Sequence, residues 1–119
     1  MWIYQQTTGE LLHDGQYLTT GYSGHGEGLN SPAHETVPNV GPIPAGKWKI
    51  GREFRHPAKG PVCMRLTPVG HNAHGRSGFL IHGDNQAVNH TASEGCIILA
   101  RVTRARIAGS GDDDLLVVV

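Results

Sequence analysis

Glycine and proline punctuate this chain so densely that long helices have nowhere to form. The 17 Gly and 7 Pro of its 119 residues are spread along the chain rather than clustered. Only two stretches free of both exceed ten residues, Asp84–Glu94 and Cys96–Ala108. An interior Gly or Pro costs a helix about 1 or 3 kcal/mol, and short isolated helices are marginal in water. A helical bundle is therefore excluded. The irregular spacing also excludes a collagen-like rod and a repeat array. What remains is a domain of short strands and turns.

Length and charge narrow the reading further. Residues 1–119 make one domain, with no room for a second. Ten Lys and Arg are balanced by ten Asp and Glu, so no basic footprint points to nucleic acid or an anionic membrane surface. No apolar run is long enough to span a bilayer. The start, Met1-Trp2-Ile3-Tyr4-Gln5-Gln6, lacks the basic and apolar regions of a secretory signal. The sequence therefore predicts synthesis in the cytoplasm without a signal peptide. Two cysteines, Cys63 and Cys96, are too few for a disulfide framework.

Along the chain, Trp2–Gln5 and Glu10–His13 read as strands, and Asp14-Gly15 as a hairpin turn leading into a third strand over Gln16–Tyr22. Ser23–Val40 reads as a long polar loop. Gly41–Gly46 forces an extended segment and a turn. Lys47–Ile50, Pro61–Val69, Phe79–His82 and Leu115–Val119 read as further strands. One helix is expected from near Ala100 to Ala108, with Ile98, Val102 and Ala105 as its apolar stripe and Ile107 off it. The fold class is mostly β, all-β or α+β, with one short helix.

Chemistry concentrates in two places. Ile81-His82-Gly83-Asp84 puts a histidine at a strand end, and Ser93-Glu94-Gly95-Cys96 places a cysteine fourteen residues after His82. A free thiol titrates near 8.5 and needs a neighbouring base to attack at neutral pH. Histidine is that base when an acceptor orients its other ring nitrogen. A glycine before the cysteine admits a ligand close to the backbone and leaves the amides of Gly95 and Cys96 to face an oxyanion. The plainer alternatives are a packed thiol at Cys96 and a satisfied core histidine at His82. His90 is a rival base, and a Cys63–Cys96 disulfide would silence the nucleophile.

Ile81-His82-Gly83 with Ser93-x-Gly95-Cys96-Ile97 resembles the signature of the YkuD-type L,D-transpeptidase catalytic domain. Gly41-Pro42-Ile43-Pro44-Ala45-Gly46-Lys47-Trp48-Lys49-Ile50 resembles that family's Pro-x-Gly-x-aromatic-x-Ile strand. Gly75–Asn85 and Ala92–Leu99 resemble its small branch of type VI secretion effectors acting on peptidoglycan. The resemblance runs from about Tyr22 to Val119.

The resemblance implies a β-sandwich or barrel with its short helix after the cysteine. It implies that Cys96 attacks the carbonyl of the third residue of a tetrapeptide stem, and that His82 takes the thiol proton and hands it to the leaving D-alanine. The Gly83 carbonyl would orient His82, Gly95 would donate to the oxyanion, and Ser93 would shape the turn before the nucleophile. Water as acceptor gives an L,D-carboxypeptidase; a D-amino acid or a second stem gives a transpeptidase. No metal or cofactor is implied. The wider family often carries Arg two residues after the cysteine, where this chain has Ile98. That leaves carboxylate reading to Arg76 or Arg101, while Asp84 and Tyr22 are further substrate-binding candidates, Tyr22 as part of a lid. Implied partners are the tetrapeptide stem, a secretion-system carrier into the periplasm of a target cell, and a periplasmic immunity protein. Two other readings remain open here. One is a zinc peptidase using His71-x-x-His74, the tightest histidine pair. The other is a non-catalytic wall-binding or phage structural module.

Overall fold

The computed structural model describes residues 1–84 and 93–119. In chain order the strands are β1 (Trp2–Gln5), β2 (Glu10–His13), β3 (Gln16–Thr20), β4 (Tyr22–Ser23), β5 (Gly46–His56), β6 (Gly60–Val69), β7 (Leu80–His82), β8 (Ile97–Ile98) and β9 (Asp114–Val118). Helix α1 spans Arg101–Gly109. The strands form one sheet in the order β3-β2-β1-β9-β5-β6-β7-β8-β4. Because β3 leads through Gly21 straight into β4, the two ends of that order are one piece of chain, and the sheet curls into a nearly closed barrel.

Alternation in the sequence builds the interior. Trp2 and Tyr4 of β1, Trp48 and Ile50 of β5, and Leu115 and Val117 of β9 are buried, while Lys49 between the β5 pair is exposed. Pairing puts Leu115 opposite both Trp2 and Trp48. Each indole keeps a polar partner, as buried tryptophan requires: Trp2 Nε1 donates to the Asp112 carbonyl and Trp48 Nε1 to that of Pro44, both at 3.0 Å. Met64, Leu66, Phe79, Ile81 and Ile97 complete the core with Ile107.

Three expectations need revision. The third strand breaks at Gly21, because Tyr22 and Ser23 turn to pair with Ile98 and Ile97. The strand expected over Lys47–Ile50 runs on to His56, where it forms a long hairpin with β6. The helix exists, but not with the expected stripe. Ile98 belongs to β8, Val102 is 78% exposed, and the buried positions are Thr103, Arg104 and Ile107. Ile107, which lies off the expected stripe, is the helix's anchor in the core. The loop 24–45 carries two 3-10 turns, Gly26–Gly28 and Pro32–His34. Among the described residues no helix is long and apolar enough to cross a membrane.

Candidate active site

Parallel pairing of β7 with β8 places the two chemical residues together. Ile81 lies opposite Ile97 and His82 opposite Ile98. Ile81 and Ile97 point into the core, so the pleat turns Leu80, His82 and Ile98 to the other face. Cys96, one residue before β8, continues that second face. His82 and Cys96 line a common cavity of about 210 Å³, with Lys59, His56 and Asn39 around its wall. His82 is buried and Cys96 is partly exposed.

The imidazole is oriented from behind. Its Nδ1 lies 2.7 Å from the Gly83 carbonyl. A carbonyl only accepts, so Nδ1 carries the proton and Nε2 keeps the lone pair. Nε2 is buried and has no hydrogen-bond partner among the described residues. Burial holds the His82 pKa below its usual value. The Gly83 carbonyl opposes this, and the charges of Lys59, Arg104 and His56 reinforce it. Burial pushes the Cys96 thiol up, against the pull of the Leu80 amide and of Lys59. The resting pair is therefore an uncharged thiol beside an uncharged imidazole. The thiol points to the Gly78 carbonyl at 3.8 Å.

The turn before Cys96 is held by one hydroxyl. Ser93 Oγ donates to the Cys96 carbonyl at 2.6 Å and accepts from the amides of Gly24 at 2.8 Å and Gly95 at 3.1 Å. Its capacity as one donor and two acceptors is full. This changes the role expected for Gly95, whose amide is engaged by Ser93. Gly95 instead has a positive φ of 131°, and a Cβ there would lie 2.5 Å from Arg76 Nη2. Only glycine fits between the guanidinium and the turn.

Arg76 likewise has a different job from the one expected. Its Nη1 donates to the carbonyls of Glu35 and Pro42, and its Nη2 to those of Gly41 and Glu94. All four terminal N–H groups go to backbone, and Arg76 lines neither this cavity nor the second one described below. It clamps the loop onto the nucleophile turn. The residues after Tyr22 do the same from the other side. Ser23 Oγ donates to the Gly95 carbonyl at 3.0 Å, and His25 Nδ1 lies 2.8 Å from the Ser93 carbonyl. This part of the long loop is a brace. Sequence reasoning missed Ser23, His25, Lys59 and Arg104; His25 alone carried a signal, as a histidine in a glycine-rich loop.

Tyr22 and Asp84 do not line the cavity of His82 and Cys96. The Tyr22 hydroxyl donates to Asp84 Oδ1 at 2.6 Å. Both line a second cavity of about 430 Å³, shared with Gly83, Ile98, Arg101 and Arg104. His90, Asn85 and Ala92 lie outside the described residues. Both cysteines are free thiols, so the Cys63–Cys96 disulfide is not formed.

The histidine pair of the zinc reading does not converge. His71 Nε2 bonds the Lys47 carbonyl, and His74 Nε2 bonds Glu35 Oε2, each at 2.9 Å. Among the described residues one group has metal-ligand geometry, His13 with Asp14 and Asp112. The Met1 amine bridges its two carboxylates.

A family model described as the Tlde1 domain matches residues 18–115. The chain belongs to the Tlde1 domain family. That family is one of type VI secretion effectors related to peptidoglycan. No curated protein sequence matches the chain. Among solved structures it is similar to the helical cell shape determining protein Pgp2 from Campylobacter jejuni, with a TM-score of 0.58 and 18% identity. The match covers 98% of this chain and 46% of that one. At this identity the likeness concerns the fold, and the Tlde1 domain spans under half the length of that neighbour.

Proposed function

We propose that this Tlde1 domain is a cysteine-dependent enzyme that cuts the L,D bond of peptidoglycan tetrapeptide stems and exchanges or hydrolyses the terminal D-alanine. The observation that carries the reading is the buried, unpartnered Nε2 of His82. Gly83 sets the ring's tautomer, and His82 lines the same cavity as Cys96.

Both groups rest uncharged, so the thiol is activated as it attacks rather than beforehand. Nε2 takes the thiol proton while sulfur bonds the carbonyl carbon of the third stem residue. The tetrahedral oxyanion falls to the Cys96 amide, since the Gly95 amide is held by Ser93. The imidazolium returns its proton to the leaving amine, the C–N bond breaks, and D-alanine departs from a thioester. Water, deprotonated by His82, releases the tripeptide; a D-amino acid amine gives the exchanged tetrapeptide. Every proton in the cycle passes through Nε2. Delivery by a secretion machine to a target periplasm, and a producer's immunity protein, complete the proposal.

Mass spectrometry of muropeptides incubated with the protein, with and without an added D-amino acid, tests this. Loss of D-alanine, exchange when the amino acid is present, and at least a 1,000-fold drop in Cys96→Ala are expected. Full activity of a folded Cys96→Ala protein overturns the proposal.

A further inference from the structure

The start of α1 breaks the ordinary rules for a helix N-terminus. The N-cap is Ala100, which makes no side-chain cap, and no acidic residue lies in the first turn. Ser, Thr, Asp or Asn is preferred at the cap, and negative charge in the first turn. This helix opens instead with Arg101 and reaches Arg104 within its first turn. Both cations add to the positive end of the helix dipole, and both line the 430 Å³ cavity with Ala100.

Arg104 supplies a second, independent observation. It is 7% exposed. Nε donates to the Leu99 carbonyl at 3.1 Å, and Nη1 to those of Pro61 and Val62 at 2.8 and 3.0 Å. Nη2 has no acceptor and the guanidinium no carboxylate partner among the described residues. That nitrogen lies beside Gly83, where a Cβ would come within 2.7 Å of it. Nη2 is not fully enclosed, so this donor stays reachable from the cavity. Asp84 lines the same cavity, but the two arginines leave the balance positive.

We infer that this cavity is a carboxylate subsite, taking the terminal α-carboxylate of the departing D-amino acid and, in exchange, that of the incoming one. The inference rests on the proposed L,D reaction. Its geometry follows from β8. Cys96 lines the smaller cavity and Ile98 the larger, two residues or about 7 Å apart along the strand. A substrate whose scissile carbonyl meets Cys96 extends its last residue past His82 toward Ile98. There the carboxylate meets the open amides of α1 and Nη2 of Arg104, as anions do at helix N-termini.

The test compares a synthetic tetrapeptide stem ending in D-alanine with the same stem ending in D-alaninamide. Wild type loses about 30-fold in kcat/KM on the amide, the scale of a hydrogen bond to a charged group. Arg104→Gln and the solvent-exposed Arg101→Gln lower kcat/KM on the acid stem more than on the amide, and so narrow that preference. The Arg101 variant carries the test if Arg104→Gln fails to fold. Equal turnover of acid and amide by wild type overturns the subsite and leaves the reaction standing. Turnover of neither overturns the reaction. Free D-alanine titrated into the wild-type protein then decides the subsite. A shifted Arg104 Nε–H resonance supports it, and an unmoved one overturns it.

Discussion

The two faces of the β7–β8 pair obey different rules. On one face Ile81 and Ile97 meet the core, where shape and volume decide the energy and neighbouring side chains can partly repack. On the other, His82 and Cys96 depend on single named atoms: the Gly83 carbonyl, the Ser93 hydroxyl, the Arg76 guanidinium. The first face supplies stability in bulk. The second supplies position, and its loss registers first in rate.

Substitutions on each face separate these roles. Ile81→Ala on the core face lowers stability by about 2–5 kcal/mol. Chemical denaturation measures that loss, and kcat of the remaining folded fraction changes less than tenfold. Ser93→Ala reverses the pattern. It strips acceptors from the Gly24 and Gly95 amides and a donor from the Cys96 carbonyl, costing about 1–3 kcal/mol. It lowers kcat/KM by about 100-fold through misplacement of the nucleophile. If the two variants lose activity equally per folded molecule, the distinction between the faces fails.

A subtler effect is electrostatic. His82 must be uncharged to act as base, and burial with neighbouring positive charge disfavours its protonated form. The acid limb of kcat/KM therefore falls below the usual histidine value near 6.5. Activity is retained as pH drops through 6.5 and lost only lower. Lys59→Gln removes one repelling charge and shifts the limb upward. A limb at or above 6.5 in the wild type contradicts the geometry. The smallest effect is expected at Val102, whose side chain is exposed on the helix. Val102→Ser changes stability by no more than about 0.5 kcal/mol.

Local signals account for what the sequence made readable. Strand alternation around Trp2, Trp48 and Leu115 and the Asp14-Gly15 turn are neighbour effects, and so are the glycines beside His82 and Cys96. Partners brought from afar were not readable. Ser23, Gly24 and His25 reach the nucleophile turn across 72, 69 and 68 positions, and no spacing rule connects them. Arg76 read as a substrate cation because its four carbonyl acceptors are backbone atoms, which look alike at every residue. The helix stripe misled because Ile98 belongs to a strand. The period therefore started one element early, and it hid Arg104 on the buried face.

The ring of strands also governs how fast the protein can assemble. Its β1–β9 seam joins Trp2 to Leu115 in parallel register, so the sheet stays incomplete until two strands far apart in sequence find each other. Pairings so distant in sequence carry a heavy loop-closure cost before they return any contact energy, and domains dominated by them fold in milliseconds to seconds. Until that pairing forms, β9 has a neighbour only on its β5 side, and Leu115 meets Trp48 without Trp2.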